Sequence, residues 1–248
     1  MDLSDLDAVL FDIDGVVTDT ARVHAGAWKR TFDDLLRSQA RWTGVPMKPF
    51  DIRNDYLHHV DGRPRLDGVR GFLASRDITL PEGADTDPPG QDSIHGMAKQ
   101  KNAYFLDLLR RHGVTAFSST VDVVRELRRR GVRTAAVSAS RNAAQVLEAA
   151  GVADLFDVRV DGQDSTRLEL AGKPDPAMFL EAAGRLGIPP ARIAVVEDAL
   201  AGVEAGARGG FRQVVGVDRG TQAEDLRRSG ADTVVKDLSQ LALLGRSP

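Results

Sequence analysis

Cysteine is absent from the 248 residues, which excludes disulfides, thiolate metal sites and cysteine nucleophiles. Long apolar runs are absent as well, and none approaches the roughly 18 residues that a membrane span needs. Neither sign of charge is in large excess. A formal net charge of −3 gives no general reason to expect nucleic acid or an anionic membrane as partner. The acidic opening Met1-Asp2-Leu3-Ser4-Asp5 lacks the basic-then-apolar pattern of a signal peptide, so the expected location is the cytoplasm. There is no internal repeat and no low-complexity segment. Lysine is scarce beside arginine, so a lysine at a special position draws attention. What remains is 42% hydrophobic and 28% charged, the balance of a soluble globular protein with room for one large domain or two smaller ones.

The most informative stretch is Leu10-Phe11-Asp12-Ile13-Asp14-Gly15-Val16-Val17-Thr18-Asp19-Thr20. The apolar run from Ala8 to Phe11 predicts a strand. Residues i and i+2 of a strand point to one side, so Asp12 and Asp14 are expected to share a site at its end. Gly15 allows a sharp departure of the chain there. Two close carboxylates repel unless a cation or a shared proton relieves them, and an oxygen-rich site of this kind suits Mg²⁺. A strand ending in an ordinary Asp-Gly turn is the plain alternative.

Val23, Ala27, Phe32, Leu35 and Leu36 predict an amphipathic helix over 20–36, with His24 and Trp28 on one face. Proline and glycine break the pattern over 41–49 and again over 81–92. Further helices are expected around 52–59, 66–75 and 93–111. From Val114 helix and strand alternate. Helices are expected at 121–130, 142–150, 176–186, 200–208 and 238–244, and strands at 132–137, 157–160, 193–196, 214–217 and 233–235. Such alternation implies a parallel sheet covered on both faces. The expected fold is α/β: a Rossmann-like core of residues 1–19 and 113–248, with a helical domain of residues 20–112 inserted after the first strand.

Ligands of open parallel sheets bind at the carboxyl ends of the strands. Four polar clusters fall there or just beyond: Asp12 with Asp14, Ser138-Ala139-Ser140-Arg141-Asn142, Lys173-Pro174-Asp175-Pro176, and Glu197-Asp198. Together they suit phosphoryl transfer, which depends on positioning and on neutralising the moving charge, with a carboxylate as nucleophile. Ser138 to Asn142 offers hydroxyls and N–H groups at a helix start, an anion-binding arrangement. Taken singly, each cluster has an ordinary alternative: Ser138 or Ser140 as a helix cap, Lys173 on the surface, Glu197-Asp198 as an acidic helix start.

The set of Asp12-Ile13-Asp14-Gly15 with Thr18-Asp19, then Ser138, Lys173 and Glu197-Asp198 resembles the motifs of the haloacid-dehalogenase superfamily of phosphotransferases. That resemblance implies Asp12 as the nucleophile that becomes phosphorylated and Asp14 as general acid/base. It implies Mg²⁺ held by the Asp12 carboxylate, the Asp14 carbonyl and Asp198, with Glu197 contributing directly or through water. Ser138 and Lys173 would hold the transferring phosphoryl group, and the helical insertion would be the cap over the site. A narrower resemblance, to the β-phosphoglucomutase family, rests on Asp19-Thr20, His24, Ala27-Trp28-Lys29, Ser138 to Asn142 with Ser140, Arg141 and Asn142, Gly62 and Arg65, and Lys101-Asn102. It implies a sugar-phosphate substrate, glucose 1,6-bisphosphate as intermediate and activator, a monomer, and Arg65 on the phosphate distant from Asp12. Asp61, Arg63 and Pro64 depart from that family's pattern, and the loops over 41–49 and 77–92 are longer. A sugar-phosphate phosphatase and, from another class, a non-catalytic phospho-receiver or binding module are the alternatives. Phosphonate hydrolysis needs a Schiff-base lysine, for which Lys29 and Lys48 have no matching context.

Overall fold

The computed structural model describes residues 1–220 and 222–245. These form two compact units, one of residues 1–20 with the described residues from 114 onward, the other of residues 21–113. Thr20 thus falls in the first unit and Gly113 in the second. Among the described residues no helix is long and apolar enough to cross a membrane.

The chain opens with β1 (Ala8–Asp12) and then enters the helical unit with α1 (Ala21–Thr43), α2 (Arg65–Ala74) and α3 (Ile94–His112). It returns through α4 (Ser118–Arg129), β2 (Arg133–Val137), α5 (Ala143–Ala149), β3 (Val158–Val160) and α6 (Gly162–Arg167). It continues through α7 (Ala177–Leu186), β4 (Ile193–Glu197), α8 (Leu200–Arg208), β5 (Gln213–Val217), α9 (Ala223–Arg228) and β6 (Thr233–Val235). All strand pairs are parallel and the order is β3-β2-β1-β4-β5-β6. Ala8, Val9, Leu10 and Phe11 are fully buried, as a strand covered on both faces requires. The order reverses at β1, which pairs β2 on one side and β4 on the other. Ligands of such sheets bind beside the switch point, at the strands' carboxyl ends.

The helical unit packs around aromatic rings. Trp28 stacks on Phe32 at 5.1 Å, and Phe32 meets Phe72 at 4.0 Å and Phe50 at 5.3 Å between centroids. Such pairs add directional attraction to buried area. Three details differ from the sequence expectation. Helix α1 runs on past Leu36 to Thr43, because Arg37–Thr43 contains no breaker before Gly44, although its apolar stripe has ended and Trp42 is 89% exposed. The helix expected at 52–59 is a single π-turn over Tyr56–Val60. There Asp51 accepts the N–H groups of Arg53 and Asn54, and i to i+5 bonds from Tyr56 to Asp51 and from Asp61 to Tyr56 replace the α pattern. The closing helix at 238–244 is one 3₁₀ turn, Leu238–Gln240, started by Asp237 accepting the Ser239 N–H.

Helix α6 has no apolar stripe and was not expected. Its ends make it. Asp161 accepts from the N–H groups of Gln163 (2.8 Å) and Asp164 (3.3 Å), and Asp164 accepts the Asp161 N–H (3.2 Å), a reciprocal capping box. Asp164 also pairs with Arg185 of α7 at 2.8 Å and Arg167 at 2.6 Å. The hydrogen bonds from Arg185, with those from Arg167 and Asp161, bring its pKa down to about 2. A carboxylate whose pKa is lower folded than unfolded adds stability above its unfolded value, and that stability is lost as pH falls through the folded one. Asp164→Asn is therefore expected to cost about 1 kcal/mol at pH 7, allowing for solvent screening, and about half of that at pH 3. Urea unfolding of both proteins at the two pH values checks this; a gap that widens on acidification contradicts it.

Candidate active site

The acids and the lysine singled out in the α/β unit converge at the switch point. Asp12 is the last residue of β1 and Glu197 the last of β4, with Asp198 following directly. Oxygens of Asp12, Glu197 and Asp198, all buried, lie within 4.8 Å of one another. Lys173 is 2% exposed, so it is no surface lysine. Its ammonium donates to Asp12 Oδ1 and Glu197 Oε1, both at 2.5 Å. The other Glu197 oxygen accepts the Ala199 N–H at 2.7 Å. Glu197 is therefore the strut that holds Lys173 against Asp12. Helix α8 begins so close to it that a Cβ on Gly202 would sit 1.7 Å from Glu197 Oε1.

Asp14 is held differently. The chain leaves β1 after Asp12 and turns, with Gly15 at φ +95°. Asp14 accepts a hydrogen bond from Thr20 Oγ1 at 2.5 Å and one from Ser138 Oγ at 3.1 Å. The Thr20 hydroxyl also lies 2.7 Å from that of Thr18, which is within 3.2 Å of the Ile13 carbonyl. The two aspartates that the strand spacing placed side by side thus have separate partners, Lys173 for one and two hydroxyls for the other. Gly15 faces Asp198 so closely that a Cβ there would lie 1.8 Å from its Oδ2.

Ser138 follows β2 and is 1% exposed. Its hydroxyl also accepts the Ser140 N–H at 3.0 Å, and the Ser140 hydroxyl accepts the Asn142 N–H at 3.2 Å. Two of the amides expected for anion binding are therefore already engaged. Asn142 stands at the cap position of α5, and Arg141 is exposed with its carbonyl accepting from Gln163 at 3.1 Å. The peptide between Lys173 and Pro174 is cis.

Burial and the repulsion of Glu197 and Asp14 push the Asp12 carboxyl well up, against the opposing pull of Lys173. Burial works to lower the Lys173 ammonium, but the charges of Asp12 and Glu197 outweigh it and hold the proton on. Asp12 and Glu197 share the Lys173 ammonium, and Asp198 brings a third carboxylate within 4.8 Å of them. Oxygen donors with surplus negative charge fit a hard divalent cation such as Mg²⁺.

In the helical unit, taken by itself, other residues singled out in the sequence meet. Lys101, 3% exposed, donates to His24 Nδ1 at 2.6 Å and lies 5.1 Å from the Trp28 ring centre and 4.9 Å from that of Phe105. Arg65 donates to Asn102 Oδ1 at 2.8 Å, and Gly62 turns the chain ahead of α2 at φ +67°. Lys29 is committed to Asp33 (2.8 Å) and the Phe50 carbonyl (3.0 Å).

Sequence reasoning missed two residues that touch the site's main chain. Arg219 donates through Nε to the Gly15 carbonyl at 2.7 Å, and Gln222 donates to the Asp198 carbonyl at 3.3 Å. Both follow β5 at the same sheet edge as the four clusters, which was the signal available.

The family model for haloacid dehalogenase-like hydrolases matches residues 6–210. A β-phosphoglucomutase of Mycobacterium bovis is 44% identical over 237 residues, covering 94% of this chain and 90% of its own. A β-phosphoglucomutase of Bacillus subtilis is 30% identical over 236 residues, covering 95% and 92%. Among solved structures, the β-phosphoglucomutase of Clostridium difficile superimposes with a TM-score of 0.71 at 26% identity, covering 96% of this chain and 93% of that one.

Proposed function

This chain belongs to the haloacid dehalogenase-like hydrolase family, and from that premise we propose that it is a β-phosphoglucomutase, interconverting β-glucose 1-phosphate and glucose 6-phosphate through the 1,6-bisphosphate. The observation that carries the reading is the buried Asp12–Lys173–Glu197 bridge beside Asp198 at the switch point. The 44% identity across nearly the whole chain supports the choice of substrate.

In this reading Asp12 is the nucleophile. Its carboxylate attacks phosphorus, the bond from phosphorus to the sugar oxygen breaks, and Asp14 gives that oxygen a proton. In the return direction Asp14 takes the proton of a sugar hydroxyl as that hydroxyl attacks the aspartyl-phosphate, so charge and protons balance over the cycle. Thr20 and Ser138 hold Asp14 in place for both steps. Ser138 and Lys173 take the oxygens of the moving phosphoryl group. Asp12, Asp198 and the Asp14 carbonyl would hold Mg²⁺, with Glu197, both of whose oxygens are engaged, contributing through water. Bound there, the ion would offset charge on the transferring group.

The helical unit is the cap in this reading. Arg65 takes the phosphate distant from Asp12, an arginine fork suiting phosphate oxygens. Thr20, His24, Trp28, Gly62, Lys101, Ser140, Arg141 and Asn142 are the further substrate-binding residues in this reading, and closure keeps water from the aspartyl-phosphate. The bisphosphate activates by phosphorylating Asp12. The protein acts as a monomer in the cytoplasm.

A coupled assay with β-glucose 1-phosphate, Mg²⁺ and a trace of the bisphosphate tests this. Glucose 6-phosphate is the expected product. Inorganic phosphate without glucose 6-phosphate would overturn the mutase in favour of a sugar-phosphate phosphatase. No turnover of any sugar phosphate would leave the phospho-receiver or binding module.

A further inference from the structure

The turn after β5 reaches into both loops of the site. Asp218, 6% exposed, folds that turn by accepting the N–H groups of Gly220 (3.0 Å) and Gln222 (3.1 Å). From it Arg219 donates to the Gly15 carbonyl at 2.7 Å and Gln222 to the Asp198 carbonyl at 3.3 Å. The guanidinium of Arg219 is itself braced. It lies 3.7 Å from the Phe117 ring centre and 3.5 Å from Asp237 Oδ2. Asp237 in turn accepts from Ser119 Oγ at 2.8 Å and the Ser239 N–H at 2.9 Å.

We propose that Arg219 and Gln222 are positioning residues for the metal-holding carboxylates, fixing the main chain of the Asp14–Gly15 loop and of Asp198 against each other. The inference rests on the reading of Asp12, the Asp14 carbonyl and Asp198 as the Mg²⁺ site. Three observations carry it. The loop after β1 is tied at successive carbonyls: Gly15 by Arg219, Val16 by Thr120 Oγ1 at 2.7 Å, and Val17 by the Phe117 N–H at 2.9 Å. The loop also packs directly on Asp198, since a Cβ on Gly15 would fall 1.8 Å from Asp198 Oδ2. Any slip of Gly15 therefore displaces either the Asp14 carbonyl or the Asp198 carboxylate. Finally, Nη2 of Arg219 and Oε1 of Gln222 are buried without a hydrogen-bond partner among the described residues. Burying unpaired polar atoms costs stability, so the two side chains are not placed for stability alone. Neither touches the reacting atoms, and each acts through a carbonyl.

The test measures Mg²⁺ affinity by titration calorimetry and the urea midpoint in EDTA on the full chain. It compares wild type, Asp198→Asn, Arg219→Ala, Arg219→Lys, Gln222→Leu and the surface control Arg212→Ala. Outer partners of metal ligands typically change affinity by about tenfold or more. Arg219→Ala and Gln222→Leu are each expected to weaken Mg²⁺ binding by about tenfold, with Arg219→Lys intermediate and Arg212→Ala unchanged. Should Arg219→Ala fail to fold, Arg219→Lys and Gln222→Leu decide. Unchanged affinity in Gln222→Leu and both Arg219 variants, with Asp198→Asn abolishing binding, overturns the proposal. So does an affinity loss that only follows the fall in the EDTA midpoint, which is what a merely structural role gives. If wild type binds no Mg²⁺, or Asp198→Asn binds as well as wild type, the metal-site reading itself fails, and the proposal with it.

Discussion

Asp12→Asn is expected to lower turnover by about 10⁴-fold or more, because the carboxylate that would form the covalent intermediate is gone. The amide has nearly the same shape, and its oxygen can still accept from Lys173. The fold should therefore survive, and stability should move the other way. Burial and the charges of Glu197 and Asp14 push the Asp12 carboxyl up. A carboxyl that is harder to ionise in the folded chain than in the unfolded one weakens the fold wherever it is ionised. Removing that charge is expected to raise metal-free stability at pH 7, the usual direction where an active site stores repulsion. Two measurements check this. Label from a ³²P-bisphosphate should stay on acid-quenched wild type in a hydroxylamine-labile form and be absent from the variant. The urea midpoint in EDTA should not fall. Label retained by the variant would remove Asp12 from its role.

Lys173→Met carries the largest expected effect on stability. The methionine has similar length and no charge, and its site has no solvent to dilute the two carboxylates left facing each other: the lysine side chain and Glu197 are both 0% exposed. Removing one partner of a buried ion pair costs about 3–5 kcal/mol. The variant can escape part of this by taking up a proton at Asp12, which burial and the neighbouring acids already hold above the ordinary carboxylate range. For a carboxyl raised in the folded state, stability rises as pH falls through the raised value. Metal-free Lys173→Met should thus be clearly more stable at pH 6 than at pH 8, a steeper dependence than that of wild type, where the ammonium offsets part of the repulsion on Asp12. Equal stability of the two proteins at pH 8 would mean that Lys173 does not hold these acids apart.

How much of this could be read in the sequence depended on whether a residue's partners were local. The parallel strands were legible because Ala8–Phe11 and Ile193–Val196 are continuous apolar runs, and burial on both faces leaves no other use for them. Four motifs on one sheet edge pointed to the site because their order along the chain carries the topology with it. Helix α6 was not legible, since Gly162–Arg167 is held by Asp161, Asp164 and Arg185 and has no apolar period to detect. The helix expected at 52–59 shrinks to the Tyr56–Val60 turn, where Asp51 holds the Arg53 and Asn54 N–H groups and Ile52 is left 45% exposed. Arg219 was invisible for another reason. It is one arginine among many, and only the folded chain shows that its Nε meets a carbonyl of a loop more than 200 residues away, a separation of 204 positions.

The place of β1 in the sheet also bears on how the chain comes off the ribosome. This strand is made before both of its neighbours, β2 and β4, which come after the whole helical unit. Until Arg133–Val137 has been synthesised, the Val9-Leu10-Phe11 segment has no edge to pair with. It remains an unpaired apolar strand of the kind that invites association with other chains. Residues 21–113, by contrast, pack among themselves, and can assemble while the strand waits. The feature that gives Asp12 its central position thus makes the nascent chain depend on distant pairings that close late, the slow kind in folding, and chaperone demand during synthesis should track β1 and not the helices.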